Sequence, residues 1–222
     1  MRSSTADALL ADRVDEFSDL VIHCDAAAAV AYVEQVRDEG ISLQALVRNL
    51  LAPTARRLGN RWDDDLCDFV DVTCAVAQLQ EFVRAGFTRS TQGPVCSRHA
   101  LLAPLPGEQH TFGISVLRAQ FLGEGWQVWW AAPQSLLEIV ELVEGQGFDL
   151  LCLSASVVHE PQRLAADVQL IRKKARNKGM AIFVGGHAFL KQPHLVAAVG
   201  ADGTAQDGRE AARRMTKWIA AR

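Results

Sequence analysis

The second half of the chain alternates short apolar runs with amphipathic helical patterns, and this alternation is the feature that most constrains its fold. The run Leu150–Ser154 is almost continuously apolar, as is typical of a strand covered on both faces of a parallel sheet. Similar runs predict strands at 100–105, 126–130 and 181–184, and a short fifth strand near Gly203. Because strands that alternate with helices join through right-handed crossovers, the pattern predicts an α/β domain with a doubly wound (Rossmann-like) five-stranded parallel sheet.

The stretches between these strands predict the helices of the same domain. Their apolar residues recur at helical spacing over 114–124, 136–145, 164–177 and 208–222. Ser135 precedes the second stretch and is expected to cap it.

The first ninety residues carry helical patterns. They predict helices over about 9–21, 26–38 with Asp25 as cap, 42–59 with Ser42 as cap, a kink at Pro53 and an end at Gly59, and 68–86. Four helices with short connections predict a four-helix bundle. Gly, Pro, Ser and Thr concentrate in 88–99, so we expect a helical bundle cap over residues 1–90 and the α/β domain over residues 99–222.

Composition and charge exclude several classes of protein. Apolar residues make up 49% of the chain, which suffices for a buried core, and the net charge of −3 gives no reason to expect direct binding of nucleic acid. We expect no membrane segment, because no apolar run is long enough to span a bilayer. Five cysteines without C-x-x-C spacing, and no signal peptide pattern, favour a reduced, cytoplasmic protein.

Candidate ligand-binding residues follow three of the predicted strands. Glu108 and His110 follow the first, Ser154 and Ser156 end the third, and Gly185–Gly186 follow the fourth. Because ligands of such sheets bind beyond the carboxyl ends of the strands, these residues are expected to converge on one ligand. Taken singly, each has a plainer explanation as a turn or a strand end.

The loop after the first strand suggests a metal ligand. A carboxylate at Glu108 can accept the N–H of the His110 imidazole, fix its tautomer and leave the other ring nitrogen free for a metal. Gly113 would let a flat ligand approach the backbone closely. A histidine in a loop is otherwise a common polar surface residue, and His159, after the third strand, can either face a cofactor or lie on the surface.

The motifs and their spacing resemble the cobalamin-binding domains of the methionine synthase type. That family carries D-x-H-x-x-G, S-x-L and G-G, and this chain has Glu-Gln-His-Thr-Phe-Gly at 108–113, Ser-Ala-Ser at 154–156 and Gly-Gly at 185–186. The resemblance covers roughly residues 99–222, and the preceding bundle fits the cap module of the family.

The resemblance implies a role for each motif. His110 would replace the dimethylbenzimidazole of cobalamin as lower axial ligand of cobalt, and Glu108 would bind its ring. Ser154, Ser156 and Gly185–Gly186 would line the slot for the displaced nucleotide tail. The departures are Glu for Asp at 108 and Ser for Leu at 156; the longer carboxylate is expected to reach the ring, and Ser156 to make the slot more polar.

Trp62 is the candidate site residue of the bundle. It is expected in a polar interhelical loop, either as a core anchor or as a flat lid over a planar cofactor. Light-sensing cobalamin regulators of the CarH type carry such a Trp over the corrin and, further along, Glu-His as an upper ligand. Val72-Thr73 occupy those positions here, so that ligand is not expected.

Trp62, the segment Asp-Phe-Val-Asp-Val-Thr at 68–73 and the form of the histidine motif resemble the AerR/PpaA group. These are cobalamin-binding regulators of purple bacteria that act as antirepressors on a DNA-binding repressor. The resemblance implies a sensor of light or redox state rather than an enzyme, with adenosylcobalamin or hydroxocobalamin as cofactor and a transcription-factor repressor protein as partner. It leaves the oligomeric state open.

Two alternatives share the same histidine. One is the corrinoid protein of a methyltransferase system. The other is a haem-binding sensor, because an imidazole suits iron as well as cobalt.

Overall fold

The computed structural model describes residues 10–88 and 97–204, together with residues 210 and 214. The chain divides into two units, Met1–Thr91 and Gln92–Arg222. The predicted boundary segment falls largely on residues 89–96, outside the described residues.

The first unit is helical, as predicted. Two of its helices begin at the expected caps: the Asp25 carboxylate accepts the N–H of Ala28 at 3.0 Å, and the Ser42 hydroxyl accepts the N–H of Ala45 at 3.2 Å. The elements are α1 (Val14–Ile22), α2 (Ala26–Asp38), α3 (Leu43–Leu46), a π-helical turn (Val47–Leu51), α4 (Ala52–Asp63) and α5 (Phe69–Thr88).

The predicted third helix is longer than expected and contains the π-helical turn. Pro53 has no N–H to donate to the carbonyl four residues earlier, and just before it the N–H of Ala52 donates to the carbonyl of Val47, five residues back. The predicted end at Gly59 is wrong, because a glycine inside a helix costs only about 1 kcal/mol and the fully buried Leu58 holds this turn in the core. Trp62 therefore lies in the last turn of α4 and not in a loop.

Two aspartates start α5. The N–H of Asp71 donates to Asp68 Oδ1 at 2.8 Å, and the N–H of Asp68 donates to Asp71 Oδ2 at 3.0 Å. This is the reciprocal arrangement of a capping box, which satisfies two donors at the helix start.

The second unit alternates strands and helices, as predicted. Its sheet is parallel, with strand order β2-β1-β3-β4. The elements are β1 (His99–Pro104), α6 (Phe112–Gly123), β2 (Gln127–Trp130), α7 (Leu136–Gly145), β3 (Leu150–Ser154), α8 (Pro161–Lys174), β4 (Ala181–Gly185), α9 (His187–Lys191) and α10 (His194–Ala198).

The sheet has four strands within the described residues, so the prediction of five was wrong for this part of the chain. At the place of the fifth strand, Gly203 makes an isolated parallel bridge to Phe183. The carboxylate of Asp202 accepts the N–H of Ile182 at 2.7 Å, where a continuing ladder would use a backbone carbonyl. Position 205 and most of the predicted helix 208–222 lie outside the described residues.

Helices cover both faces of the sheet. The side chains of Leu101, Leu151 and Ile182 pack with those of α7 and α8, whereas Leu102, Leu150 and Cys152 pack with α6 on the opposite face. The helices that follow β1 and β3 thus lie on opposite faces, which opens a crevice between the carboxyl ends of these two adjacent strands.

Candidate functional site

A tight turn directs the loop after β1 toward the end of β3. The N–H of Leu105 donates to the Ser154 carbonyl at 2.9 Å, and the N–H of Glu108 donates to the Leu105 carbonyl at 2.9 Å. Pro106 and Gly107 are the central residues, and Gly107 has φ +85°, as a type II turn requires at its third position.

The carboxylate of Glu108 accepts four hydrogen bonds. Its Oε1 accepts the backbone N–H and the ring Nδ1–H of His110, each at 2.7 Å. Its Oε2 accepts the hydroxyl of Ser156 at 2.6 Å and also the backbone N–H of Ser156. Glu108 therefore joins the loop after β1 to the loop after β3 across the crevice.

These hydrogen bonds keep Glu108 ionised. The side chain is only 7% exposed, and burial by itself would raise its pKa. The bonds from the side chain and backbone of Ser156, and then from the backbone and ring of His110, outweigh burial and lower the pKa of Glu108 to about 2. At neutral pH the carboxylate is thus an acceptor only.

The charge of Glu108 fixes the tautomer of His110. Because an ionised carboxylate can only accept, Nδ1 of the neutral ring carries the proton, and Nε2 keeps its lone pair. The His110 side chain is 80% exposed, so Nε2 is accessible to a ligand. The predicted contact between Glu108 and the ring is present, and the longer carboxylate does reach it.

An open cleft of about 750 Å³ surrounds this hydrogen-bonded chain. Its volume lies in the range of cofactor and ligand pockets. The loops after β1, β2 and β3 form its walls, and four of the predicted site residues line it: Glu108, His110, Ser156 and His159.

The other predicted residues of the second unit do not line the cleft. Ser154 and Gly185 are paired in the register of β3 and β4. Gly186 has φ +92°, and a Cβ there would lie 2.3 Å from the Ala155 carbonyl oxygen, so backbone packing requires this glycine. A Cβ at Gly185 or Gly113 would meet no atom within 4 Å, and the nucleotide slot at these positions stays a prediction.

Ser156 makes a contact that the sequence analysis did not predict. Both of its hydrogen-bond donors bind Glu108, while its place in the nucleotide slot stays a prediction. A leucine at this position would have no hydroxyl to offer the carboxylate. The serine that stands here in place of the leucine of the family motif therefore supplies one of the four hydrogen bonds to Glu108.

Several polar residues of the cleft were missed by the sequence analysis. They follow β2 or lie in or beside the first two turns of α8. Because ligands of such sheets bind beyond the carboxyl ends of the strands, this position could have identified them from the sequence. The residues are Gln134, Ser135, Glu160, Arg163 and Asp167. Arg163 and Asp167 stand four residues apart on α8, so they share a helix face.

Trp62 lies on the surface of the helical unit. Its side chain is 44% exposed, and its ring meets that of Phe69 edge-on at 6.3 Å. Leu66 and Val70 are exposed beside them in the sequence. The indole is thus not an anchor in the bundle core, and these four residues are large exposed apolar side chains of the kind that marks a binding surface.

Comparisons with known proteins identify the family of the chain. A family model described as a B12 binding domain matches residues 98–215, and a second model with the same description matches residues 13–85. An uncharacterized 20.5 kDa protein in the bchF-crtJ intergenic region of Rhodobacter capsulatus is 26% identical over 172 residues, which cover 76% of this chain and 89% of the relative.

Two solved structures share the fold. A monomethylamine corrinoid protein of Methanosarcina barkeri matches with a TM-score of 0.75 at 15% identity, over 93% of this chain and 98% of the other. A cobalamin-binding protein from Desulfitobacterium hafniense matches with a TM-score of 0.51 at 15% identity, over 92% of this chain and 98% of the other.

No helix among the described residues has the length and apolar character to cross a membrane.

Proposed function

The chain belongs to the family of B12 binding domains, and on this premise we propose that it holds cobalamin at the carboxyl edge of its sheet with His110 as the lower axial ligand of cobalt. The observation that carries the proposal is the chain of hydrogen bonds from Ser156 through Glu108 to Nδ1 of His110. It fixes the tautomer that leaves Nε2 free, and such partners also raise the basicity of a ligating imidazole.

The residues of the cleft fit this cofactor. An imidazole is a suitable ligand for a transition metal such as cobalt, and one accessible ring would hold it. His110 provides that imidazole in a cleft of about 750 Å³. When bound, cobalamin supplies a cobalt centre whose upper ligand responds to light or to redox state. The protein contributes a fixed ring nitrogen, a buried negative charge and polar walls.

We further propose that the protein is a sensor and not an enzyme. In this proposal adenosylcobalamin or hydroxocobalamin reports light or redox state, and the protein transmits the signal to a transcription-factor repressor as an antirepressor. The relative from the bchF-crtJ region of Rhodobacter capsulatus is encoded in a photosynthesis gene cluster, which is the setting expected for the AerR/PpaA group. The exposed apolar side chains of Trp62, Leu66, Phe69 and Val70 support a binding surface on the helical unit.

Two alternative functions predict different experimental results. The fold of the monomethylamine corrinoid protein supports a methyl carrier, which would be methylated and demethylated by partner enzymes. The imidazole of His110 would also suit a haem, whose intense Soret absorption separates it from a corrin in one spectrum.

The test of the proposal is an absorption titration of the purified full-length protein with hydroxocobalamin and adenosylcobalamin in the dark. The wild type is expected to bind both forms with displacement of the dimethylbenzimidazole base. His110→Ala should lose the histidine-bound spectrum and bind more weakly, whereas His159→Ala, which alters the same cleft, should keep it. An unchanged spectrum in His110→Ala would overturn the assignment of the ligand.

The sensor part has its own test. The partner repressor, bound to its DNA site, should lose affinity for DNA when the cobalamin-loaded protein is added, and illumination should change the effect. A loaded protein that leaves repressor binding unaltered in both conditions, yet accepts a methyl group from a methyltransferase, would favour the carrier.

A further inference from the structure

The lining of the cleft carries an excess of acidic side chains. Of the described residues that line it, Glu108, Glu160 and Asp167 are acids, whereas Arg163 alone has a permanent positive charge. Glu108 accepts four hydrogen bonds, so the protein itself compensates its charge. The proposed ligation by His110 gives no role to the other three charged side chains.

Helix α8 fixes two of these side chains on the wall of the cleft. Leu164 and Val168, the residues that follow Arg163 and Asp167, are buried in the core and hold the helix against the sheet. Because residues four apart on a helix are neighbours on its surface, Arg163 and Asp167 present a guanidinium and a carboxylate side by side. Both residues line the cleft.

Asp167 has no donor of its own within the protein. The residue is half-buried, and its carboxylate accepts no hydrogen bond from any residue that the structure describes. Burial raises the pKa of Asp167, and the positive charge of Arg163 offsets this only in part. A half-buried carboxylate without donors is unfavourable for the empty protein. A ligand that brings N–H groups into the cleft would satisfy it.

Arg163 is available to the same ligand. Its Nη1 lies 3.7 Å from Oε2 of Glu160, which is beyond hydrogen-bond distance, and both side chains are largely exposed. Exposed ion pairs of this kind contribute little to stability, so a ligand can replace the contact at small cost. The guanidinium would then donate to an acceptor atom in the cleft.

A carboxamide matches this pair of side chains. Its N–H groups can donate to Asp167, and its carbonyl oxygen can accept from Arg163. A carboxylate has acceptor atoms only, so it would leave Asp167 without a donor and place two like charges together. Cobalamin carries carboxamides around its corrin ring, whereas haem carries carboxylates at its edge.

We propose that Asp167, together with Arg163, selects a macrocycle with a carboxamide rim over one with a carboxylate rim. Asp167 is the residue that determines this specificity, because it rejects the like charge. The inference rests on the proposed function, since the macrocycle must lie in this cleft, and it adds the chemical class of the ligand rim. It also disfavours haem, whose propionates would meet the acidic wall.

The experiment compares two corrinoids that both lack the nucleotide tail and differ in their rims. Cobinamide carries amides, and cobyrinic acid carries free carboxylates. Absorption titrations of the full-length protein at pH 8 give a dissociation constant for each corrinoid. The wild type is expected to bind cobinamide more tightly by about tenfold or more, because like charges in a partly desolvated cleft repel.

The variants should move this ratio in opposite directions. Asp167→Asn keeps the shape and removes the charge, so the preference for cobinamide should fall by about tenfold. Arg163→Gln removes the group that would attract a carboxylate, so the preference should increase. Glu141→Gln is the matched control: it removes one negative charge from an exposed position of α7 outside the cleft, and the wild-type ratio should remain. Circular dichroism verifies the fold of each variant.

The outcomes separate this inference from the proposed function. An equal ratio in Asp167→Asn and the wild type would overturn the inference and leave the cobalamin proposal standing. The same holds if the wild type shows no preference, or if Glu141→Gln lowers the ratio as much as Asp167→Asn. Binding of neither corrinoid would contradict both proposals. A histidine-bound spectrum that persists in His110→Ala, while selectivity still depends on Asp167, would refute only the assignment of the ligand.

Discussion

Replacing Ser156 with alanine is expected to raise the pKa of Glu108 by about 0.6, because it removes one of the four hydrogen bonds on the carboxylate. The pKa of Glu108 is lowered from 4.5 to about 2. At 1.36 kcal/mol per pKa unit, this difference of about 2.5 corresponds to about 3.4 kcal/mol. Shared among four bonds, it gives about 1 kcal/mol for the hydroxyl, which is typical of a protein hydrogen bond and below the range for bonds to charged groups.

The same reasoning predicts how the loss depends on pH. The pKa of Glu108 is lower in the folded chain than in the unfolded one, so its bonds stabilise the fold in full above about pH 4.5. That stabilisation is lost as the pH falls toward 2. Ser156→Ala should therefore lower the free energy of unfolding by about 1 kcal/mol at pH 7, and by less at pH 3.

Two measurements check this prediction. A ¹³C NMR titration of the side-chain carboxyls should show the Glu108 signal moving at higher pH in Ser156→Ala than in the wild type. Urea unfolding at pH 7 and pH 3 should give the pH-dependent loss. Ser154→Ala removes a hydroxyl two residues earlier that makes no bond to Glu108, and it serves as the control. An unchanged titration of Glu108, or equal losses in both variants at both pH values, would refute the reasoning.

Two further predictions concern the framework of the two units. Gly186→Ala should lower the free energy of unfolding by about 2 kcal/mol or more, because of its positive φ and the contact with the Ala155 carbonyl. Gly185→Ala should leave the free energy of unfolding nearly unchanged, because the space beside Gly185 is open. Equal urea midpoints for both variants would contradict this prediction. Asp68→Ala should cost about 1 kcal/mol through loss of the capping box with Asp71, and a thermal midpoint identical to that of the wild type would exclude a stabilising cap.

Local signals in the sequence located most elements of the fold. The continuous apolar run of β3 predicted its bounds, and the oxygens of Asp25 and Ser42 predicted two helix starts, because each depends on residues close together in the chain. Contacts between residues that are distant in the sequence were not predicted. The N–H of Ile182 donates to the carboxylate of Asp202 instead of a backbone carbonyl, and no local sequence pattern indicates this contact.

The candidate site divides in the same way. The contact between Glu108 and His110 spans two residues and was visible in the motif, including the substitution of Glu for Asp. The bonds from Ser156 cross forty-eight positions and depend on the pairing of β1 with β3. Trp62 was misplaced because Gly59 was taken as a helix end, a position where glycine is common, whereas α4 continues past it to Asp63.

The central claim is that Nε2 of His110 binds cobalt, and electron paramagnetic resonance tests it most directly. Protein with ¹⁵N-labelled histidine, loaded with unlabelled cobalamin and reduced to the cobalt(II) state, gives cobalt lines split by the axial nitrogen. Ligation by histidine predicts doublets from ¹⁵N in the labelled wild type, and the loss of these doublets in labelled His110→Ala. Triplets from ¹⁴N in the labelled wild type would mean that the dimethylbenzimidazole still binds the metal, and would contradict the account.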